Sequence, residues 1–311
     1  MTVFLQFCCL FVTRYIVCLI FSIYISVCCI GSLLAQTEQG IKTKLAIPDS
    51  NQVQILKTKD GSQLIGRIIE IRETEIQFEM QFGEMTIPIS RIEDITTTEE
   101  TSVKRGKYWF PNPNQTRLYF SPTGRMLKKG QGFFADIYVL FPGFAYGVTD
   151  NIAIGGGMSL VPGVGIENQF FYFTPKIGLV ASETINFAVG ALILAIPDFD
   201  DESDSPFVGS FYGVGTFGPP DHSFTIGLGY GFVEGDLANK PIVFFGADLR
   251  MSRRIAFVTE NFIFPEVDDP VVSYGLRFFG EKLCVDLSFF NPLSDEAIFP
   301  GFPYIDFVVN F

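Results

Sequence analysis

The stretch Ser223-Phe224-Thr225-Ile226-Gly227-Leu228-Gly229-Tyr230-Gly231-Phe232 limits the fold more than any other part of this 311-residue sequence. Its residues alternate, with Phe, Ile, Leu, Tyr and Phe on one face and Ser, Thr and Gly on the other. A period of two is that of a β-strand. A soluble half-buried sheet turns its bulky face to the core and a polar face to water. Here the second face is too small to be a solvated charged surface. Bulky residues against lipid, with small or polar residues toward a lumen, fit the pattern better.

Segments of this kind recur through residues 107–311, which hold 29 of the 35 Phe. Strands are predicted near 115–121, 132–141, 152–160, 170–180, 185–195, 206–217, 223–232, 242–250, 255–264, 271–279, 283–290 and 303–311. Compact links lie at Thr149-Asp150-Asn151, Ser182-Glu183-Thr184, Gly218-Pro219-Pro220-Asp221, Ser252-Arg253-Arg254 and Gly280-Glu281-Lys282. Longer links lie near 122–131, 161–169, 196–205, 233–241, 265–270 and 291–302. Short and long links in alternation describe an antiparallel transmembrane barrel, with short periplasmic turns and longer outside loops. The predicted fold class is therefore all-β, with a barrel of about twelve strands. Counting back from a periplasmic C-terminus, the first strand also starts from the periplasm. Ile305, Phe307, Val309 and the terminal Phe311 share one face. This end resembles the C-terminal signal by which bacterial outer-membrane barrels are recognised for assembly.

The remaining domains are read from composition. Residues 1–35 carry Arg14 as their only charge and end in Ser32-Leu33-Leu34-Ala35-Gln36. They are read as a secretory signal peptide, with a retained membrane helix as the rival. A linker follows over 36–47. Only Cys284 lies outside the leader, so the mature chain has no pair for an internal disulfide. Over 48–100, short alternating segments separated by Asp60-Gly61 and Gly83 predict a five-stranded meander. Residues 101–114 form a second linker, and 115–311 form the barrel.

The pattern Lys59-Asp60-Gly61-Ser62, Gly66-Arg67-Ile68, Phe82-Gly83-Glu84-Met85-Thr86-Ile87-Pro88 and Ile92 resembles Sm-like or SH3-like small barrels. The whole mature chain resembles uncharacterised bacterial envelope proteins that join such a domain to an outer-membrane-like barrel. Trp109-Phe110-Pro111-Asn112-Pro113-Asn114, Tyr146-Gly147-Val148-Thr149-Asp150-Asn151 and Arg277-Phe278-Phe279-Gly280-Glu281-Lys282 carry that likeness. It implies no catalytic residue and no cofactor. RNA binding, common among Sm-like domains, is not expected of this copy, which has no basic patch.

Charge narrows the function further. With 22 Lys and Arg against 34 Asp and Glu, the chain carries −12 and lacks the basic footprint of a nucleic-acid binder. Its one histidine, His222, lies beside the Pro219-Pro220 turn on the predicted periplasmic rim, which argues against a barrel hydrolase. Gly155-Gly156-Gly157 lies within a strand and lacks the following helix of a phosphate loop. Asp198, Asp200, Asp201, Glu202 and Asp204 crowd one outside loop without a calcium-binding spacing, so no metal site is predicted. No enzyme activity is expected.

Strand phase directs Lys176, Asp248, Arg250, Glu260, Arg277, Asp286 and Asp306 into the lumen. Facing lipid near the midplane, such charges would cost several kcal/mol each. They are read either as a polar pathway or ligand site, or as a salt-bridged plug. Inward Ala153, Gly155, Gly157, Gly227, Gly229 and Gly231 are read as leaving space or allowing curvature. The expected function is a Gram-negative outer-membrane barrel that passes or binds a small solute. The alternative is a plugged barrel that anchors a periplasmic β module and its partner.

Overall fold

The computed structural model describes residues 41–104, 106–197, 207–265, 267–294, 297 and 299–311. The predicted leader and the acidic cluster Asp198–Asp204 lie outside the described residues. The chain divides between Phe110 and Pro111 into two compact units.

The first unit contains β1 (Gln52–Thr58), β2 (Gln63–Ile71), β3 (Glu75–Met80), β4 (Gly83–Pro88) and β5 (Ile92–Glu99). They form an antiparallel sheet in the order β4-β3-β2-β1-β5. Gly61 and Gly83 take positive φ at two of the turns, as their lack of a Cβ permits. The alternating apolar residues meet in a core of Leu56, Ile68, Ile76, Phe78, Ile87 and Ile92. β6 (Val103–Lys104) and β7 (Lys107–Tyr108) form a short separate ladder.

The second unit is a closed antiparallel barrel. Its wall is built from β8 (Gly132–Ile137), β9 (Phe141–Gly147), β10 (Ile152–Met158), β11 (Phe171–Phe173), β12 (Lys176–Ala181), β13 (Ile185–Ala195), β14 (Phe207–Phe217) and β15 (His222–Val233). It continues, after the two-residue β16 (Asp236–Leu237), through β17 (Ile242–Arg250), β18 (Ile255–Ile263), β19 (Val271–Phe279), β20 (Leu283–Pro292) and β21 (Phe302–Asn310). β21 pairs with β8 and closes the wall. β11 and β12 both pair with β10 and β13, so they are two halves of one wall strand. Pro175 stands between them, and a proline has no N–H to give to a ladder. Counted that way the barrel has twelve strands. Closure leaves no free edge, the condition for a sheet to cross hydrocarbon.

The faces follow the alternation. On β15, Phe224, Ile226, Leu228 and Tyr230 are exposed outward, while Ser223, Thr225, Gly227 and Gly229 are buried inward. The inward glycines do not all leave space. A Cβ at Gly143 or Gly157 would overlap the Tyr172 hydroxyl, and one at Gly227 would overlap the Phe244 ring. Small residues on one strand thus make dents for large inward side chains of another.

Three expectations need correction. Residues 115–121 are not a wall strand. The predicted strand 132–141 is instead a hairpin of β8 and β9, turned by Tyr138-Val139-Leu140 with Tyr138 and Val139 at positive φ. The link 122–131 is not an outside loop, because Gly130 donates to the Gly147 carbonyl and Gly132 to that of Phe311, at the rim of the C-terminus. The strict alternation of link lengths therefore fails at the first hairpin, which is tight at the opposite rim. The wall still begins from the rim of the C-terminus, since Phe133 pairs with Asn310.

Leu228 stands mid-strand and 50% exposed on the outer face, whereas a Cβ at Gly229 would meet nothing nearer than 3.5 Å. Leu228→Arg is expected to destabilise the refolded protein in lipid by about 2–4 kcal/mol, the cost of a lipid-facing cation near the midplane. Gly229→Ser is expected to cost much less. Denaturant titration in vesicles measures both. Equal losses would mean that the bulky face is a packed soluble core.

Candidate functional site

The lumen is occupied by the segment that precedes the wall. Asn310 Nδ2 donates to the Pro113 carbonyl over 2.7 Å, which fixes this segment at the rim of the C-terminus. The chain then folds into a hairpin: Thr123 N donates to Thr116 O over 3.0 Å, Leu118 N to Ser121 O over 2.8 Å, and Arg117 bridges Pro122. Its tip lies against β18 and β21. Glu260 there accepts Tyr119 N at 2.6 Å, Phe120 N at 2.9 Å, Ser121 N at 2.8 Å and Ser121 Oγ at 2.6 Å. Successive N–H groups around a carboxylate form a strong charge-assisted cradle. Tyr119 and Phe120 also pack on the rings of Phe290 and Tyr304.

Below the tip, Arg277 is fully buried on β19. Its Nε and Nη2 donate to the two oxygens of Asp286 over 2.8 and 2.9 Å. Nη1 donates to Asp248 Oδ2 and to Asn114 O, each over 2.8 Å, and Nη2 also to Leu118 O over 2.6 Å. A guanidinium has five N–H groups, and all five are used. Asn112 and Asn114 extend this network from the hairpin's approach. Asn112 Nδ2 donates to Asp248 Oδ2 over 2.7 Å, and Asn114 Nδ2 to Asp286 Oδ2 over 3.2 Å. Arg117 donates to Asn114 Oδ1 and Tyr119 O, and pairs with Asp306.

The seven predicted lumen charges are thus all buried and inward, but they form no single cluster. Asp248, Arg277 and Asp286 meet, while Asp306 and Glu260 are each taken by the hairpin. Arg250 lies at the rim, bonded to Asp221 Oδ1 at 2.9 Å and to the carbonyls of Ser252 and Arg253. Lys176 stands apart on β12 and donates to Arg125 O over 2.6 Å and Thr116 O over 3.3 Å. Sequence reasoning missed Asn112, Asn114, Arg117 and the Tyr119–Ser121 cradle. One signal was present: three basic and four acidic strand residues leave the lumen one positive charge short, and Arg117 adds that charge beside Asp306.

Six of those seven charges stand on β17–β21, and the hairpin lies along that half of the wall. The rest of the wall is lined mainly by small and apolar residues, and a cavity of about 610 Å³ lies along it and reaches the ends of β17 and β18. The hairpin contributes Arg117, Phe120 and Leu127 to it, and the wall contributes Phe133, Ala145, Tyr172, Leu194 and Phe262. No group of His, Cys, Asp or Glu among the described residues is arranged to hold a metal ion.

No family model and no curated protein matches the sequence. Solved structures with partial likeness include the KdgM porin in complex with disordered oligogalacturonate, at 7% identity and a TM-score of 0.41, covering 58% of this chain and 96% of that one. OprD of Pseudomonas aeruginosa gives 9% identity and a TM-score of 0.32 over 84% and 92%. Outer-membrane expressed OmpT of Vibrio cholerae gives 10% and 0.31 over 85% and 98%. The architecture of the barrel rests on its own strand pairing.

Removing one partner from a buried ion network leaves the others desolvated and unpaired. Arg277→Leu is expected to destabilise the refolded barrel by about 3–5 kcal/mol. Denaturant titration in detergent or vesicles reads the loss. A change under about 1 kcal/mol, the scale of an exposed pair, would show that the network does not hold the hairpin.

Proposed function

We propose that the chain is an outer-membrane β-barrel of a Gram-negative bacterium, closed to ions by its own inner hairpin and holding a small solute in the cavity beside it. The hairpin tip on Glu260 carries this reading, because the latch occupies the lumen where an open pore would run. The apolar outer face supports a place in lipid. A cavity of about 610 Å³ lies within the roughly 300–1,000 Å³ of small-molecule sites. The rim bearing the C-terminus is periplasmic in this reading. The residues before Pro111 then belong to the periplasm, with a β unit of the Sm-like or SH3-like kind that its sequence resembles. A periplasmic partner would bind there. The protein is read as non-catalytic. An anchor that takes no solute would share the latch but give the cavity no use.

In planar bilayers the intact protein is expected to show no stable open state. Deleting residues 112–127 removes the hairpin and leaves an acid-rich lumen, so that variant is expected to conduct with cation preference. Stable conductance by the intact protein overturns the closed reading. On intact cells, a tag at Asn239 should be accessible and one at Ser252 should not. The reverse result would invert the barrel.

A further inference from the structure

The cavity is apolar along its length but carries an ammonium group at one side. Of the seven inward strand charges, Lys176 alone lines this cavity. It is 9% exposed. Its ammonium has three N–H groups, and the two hydrogen bonds it makes go to the neutral carbonyls of Arg125 and Thr116. No carboxylate among the described residues pairs with it. Of the other buried cations, Arg277 has Asp286 and Asp248, Arg117 has Asp306, and Arg250 has Asp221, while Arg125 donates to the Gly218 carbonyl and does not line the cavity. A cation taken out of water without a counter-charge is costly. This one borders open space large enough for a small molecule.

From this juxtaposition we infer that the cavity binds an amphiphilic monocarboxylate, its carboxylate on the Lys176 ammonium and its hydrocarbon tail among the Phe, Leu and Ile side chains toward the outer rim. The tail fits because the lining there is apolar, with Ile137, Phe141, Leu194, Ile242, Phe262 and Phe264 near the strand ends of that rim. The head fits because one N–H of Lys176 is left to donate, and a single negative charge balances it. Arg117 borders the same space with 13% of its side chain exposed, but its charge is matched by Asp306. It therefore adds polarity to the head-group end without calling for a second anion. A neutral alkyl ligand would fill the tail region and leave Lys176 as it is; a dianion would bring one charge too many. The inference rests on the reading of the cavity as a solute site, and it names the class of solute.

The test uses the full-length protein in nanodiscs, with octanoate and octan-1-ol as probes and empty nanodiscs as the blank. Calorimetric titration and the carboxyl ¹³C resonance of labelled octanoate report binding. The intact protein is expected to bind both saturably and octanoate more tightly. Lys176→Met is expected to weaken octanoate by roughly tenfold or more, the scale of a hydrogen bond to a charged group, and to leave octan-1-ol unchanged. Lys176→Arg should restore most of the preference. Ser210→Phe, which places a ring in the cavity from an inward wall position, should weaken both probes. Equal affinity for the two probes in the intact protein, or equal loss of both in Lys176→Met, overturns the assignment of the head group. Absence of saturable binding of either probe overturns the inference as a whole. If Lys176→Met does not refold, the preference of the intact protein between the two probes decides. Conductance tests the closed barrel separately, so a barrel that is closed and binds neither probe is distinguished from one that is open.

Discussion

Arg277 is the interaction on which the inside of this barrel depends. Its guanidinium joins Asp286 on β20 and Asp248 on β17, and it also holds the carbonyls of Asn114 and Leu118 from the inner hairpin. Wall and hairpin are thus tied through one planar group whose five donors are all engaged. A fully buried cation survives only with such complete pairing, because each unmade bond would leave a desolvated charge. Lysine in its place would offer three donors without the planar fork that meets Asp286 on two sides. A buried ion network is not in itself a stabilising device, since an apolar filling of similar volume is often as stable. It gives the segment one register and one depth, since sliding by a residue would break several charged bonds together.

The division of the lumen follows from where the charges lie along the chain. Strands β17–β21 carry Asp248, Arg250, Glu260, Arg277, Asp286 and Asp306, and the polar backbone of the hairpin lies against them. Strands β8–β15 turn mostly Ala, Gly, Phe, Tyr and Leu inward and bond the hairpin mainly through Lys176 and Thr216. The cavity is what remains. Large inward rings, such as Phe244 over Gly227 and Tyr172 between Gly143 and Gly157, fill part of it and shape the rest.

The wall was largely legible in the sequence because period-two alternation survives burial on one side and lipid on the other. The phase of β15 and the inward direction of all seven charges follow directly from it. The first hairpin was not legible, because Tyr138-Val139-Leu140 contains no Gly, Asn, Asp or Pro to mark a turn, and two of its residues take positive φ. The inner hairpin was read as a strand for a related reason. Leu118-Tyr119-Phe120 has the apolar, aromatic composition of a wall segment, although residues 113–116 form a turn and Arg117 and Pro122 make a single bridge, and nothing local says that its partners are side chains from strands far along the chain. The hairpin's bonds to Asp248, Glu260 and Asp286 are tertiary facts, so periodicity could place the acids inward but not name what they hold.

The inner hairpin also bears on how the barrel reaches its final state. Asn114 bonds Asp286 across 172 positions of sequence, and Pro113 bonds Asn310 across 197. The first part of this unit to leave the ribosome therefore has its partners in the last. It cannot dock until β20 and β21 are present, and β21 is also the strand that seals the wall against β8. Contacts of such long reach form late, because the loop must be closed before they repay its entropy. Docking and sealing draw on the same strands, so Glu260 and Asp306 lack the partners they have in the folded barrel until the chain's beginning is folded between them. Barrel assembly and the burial of the charged network are in this way one event.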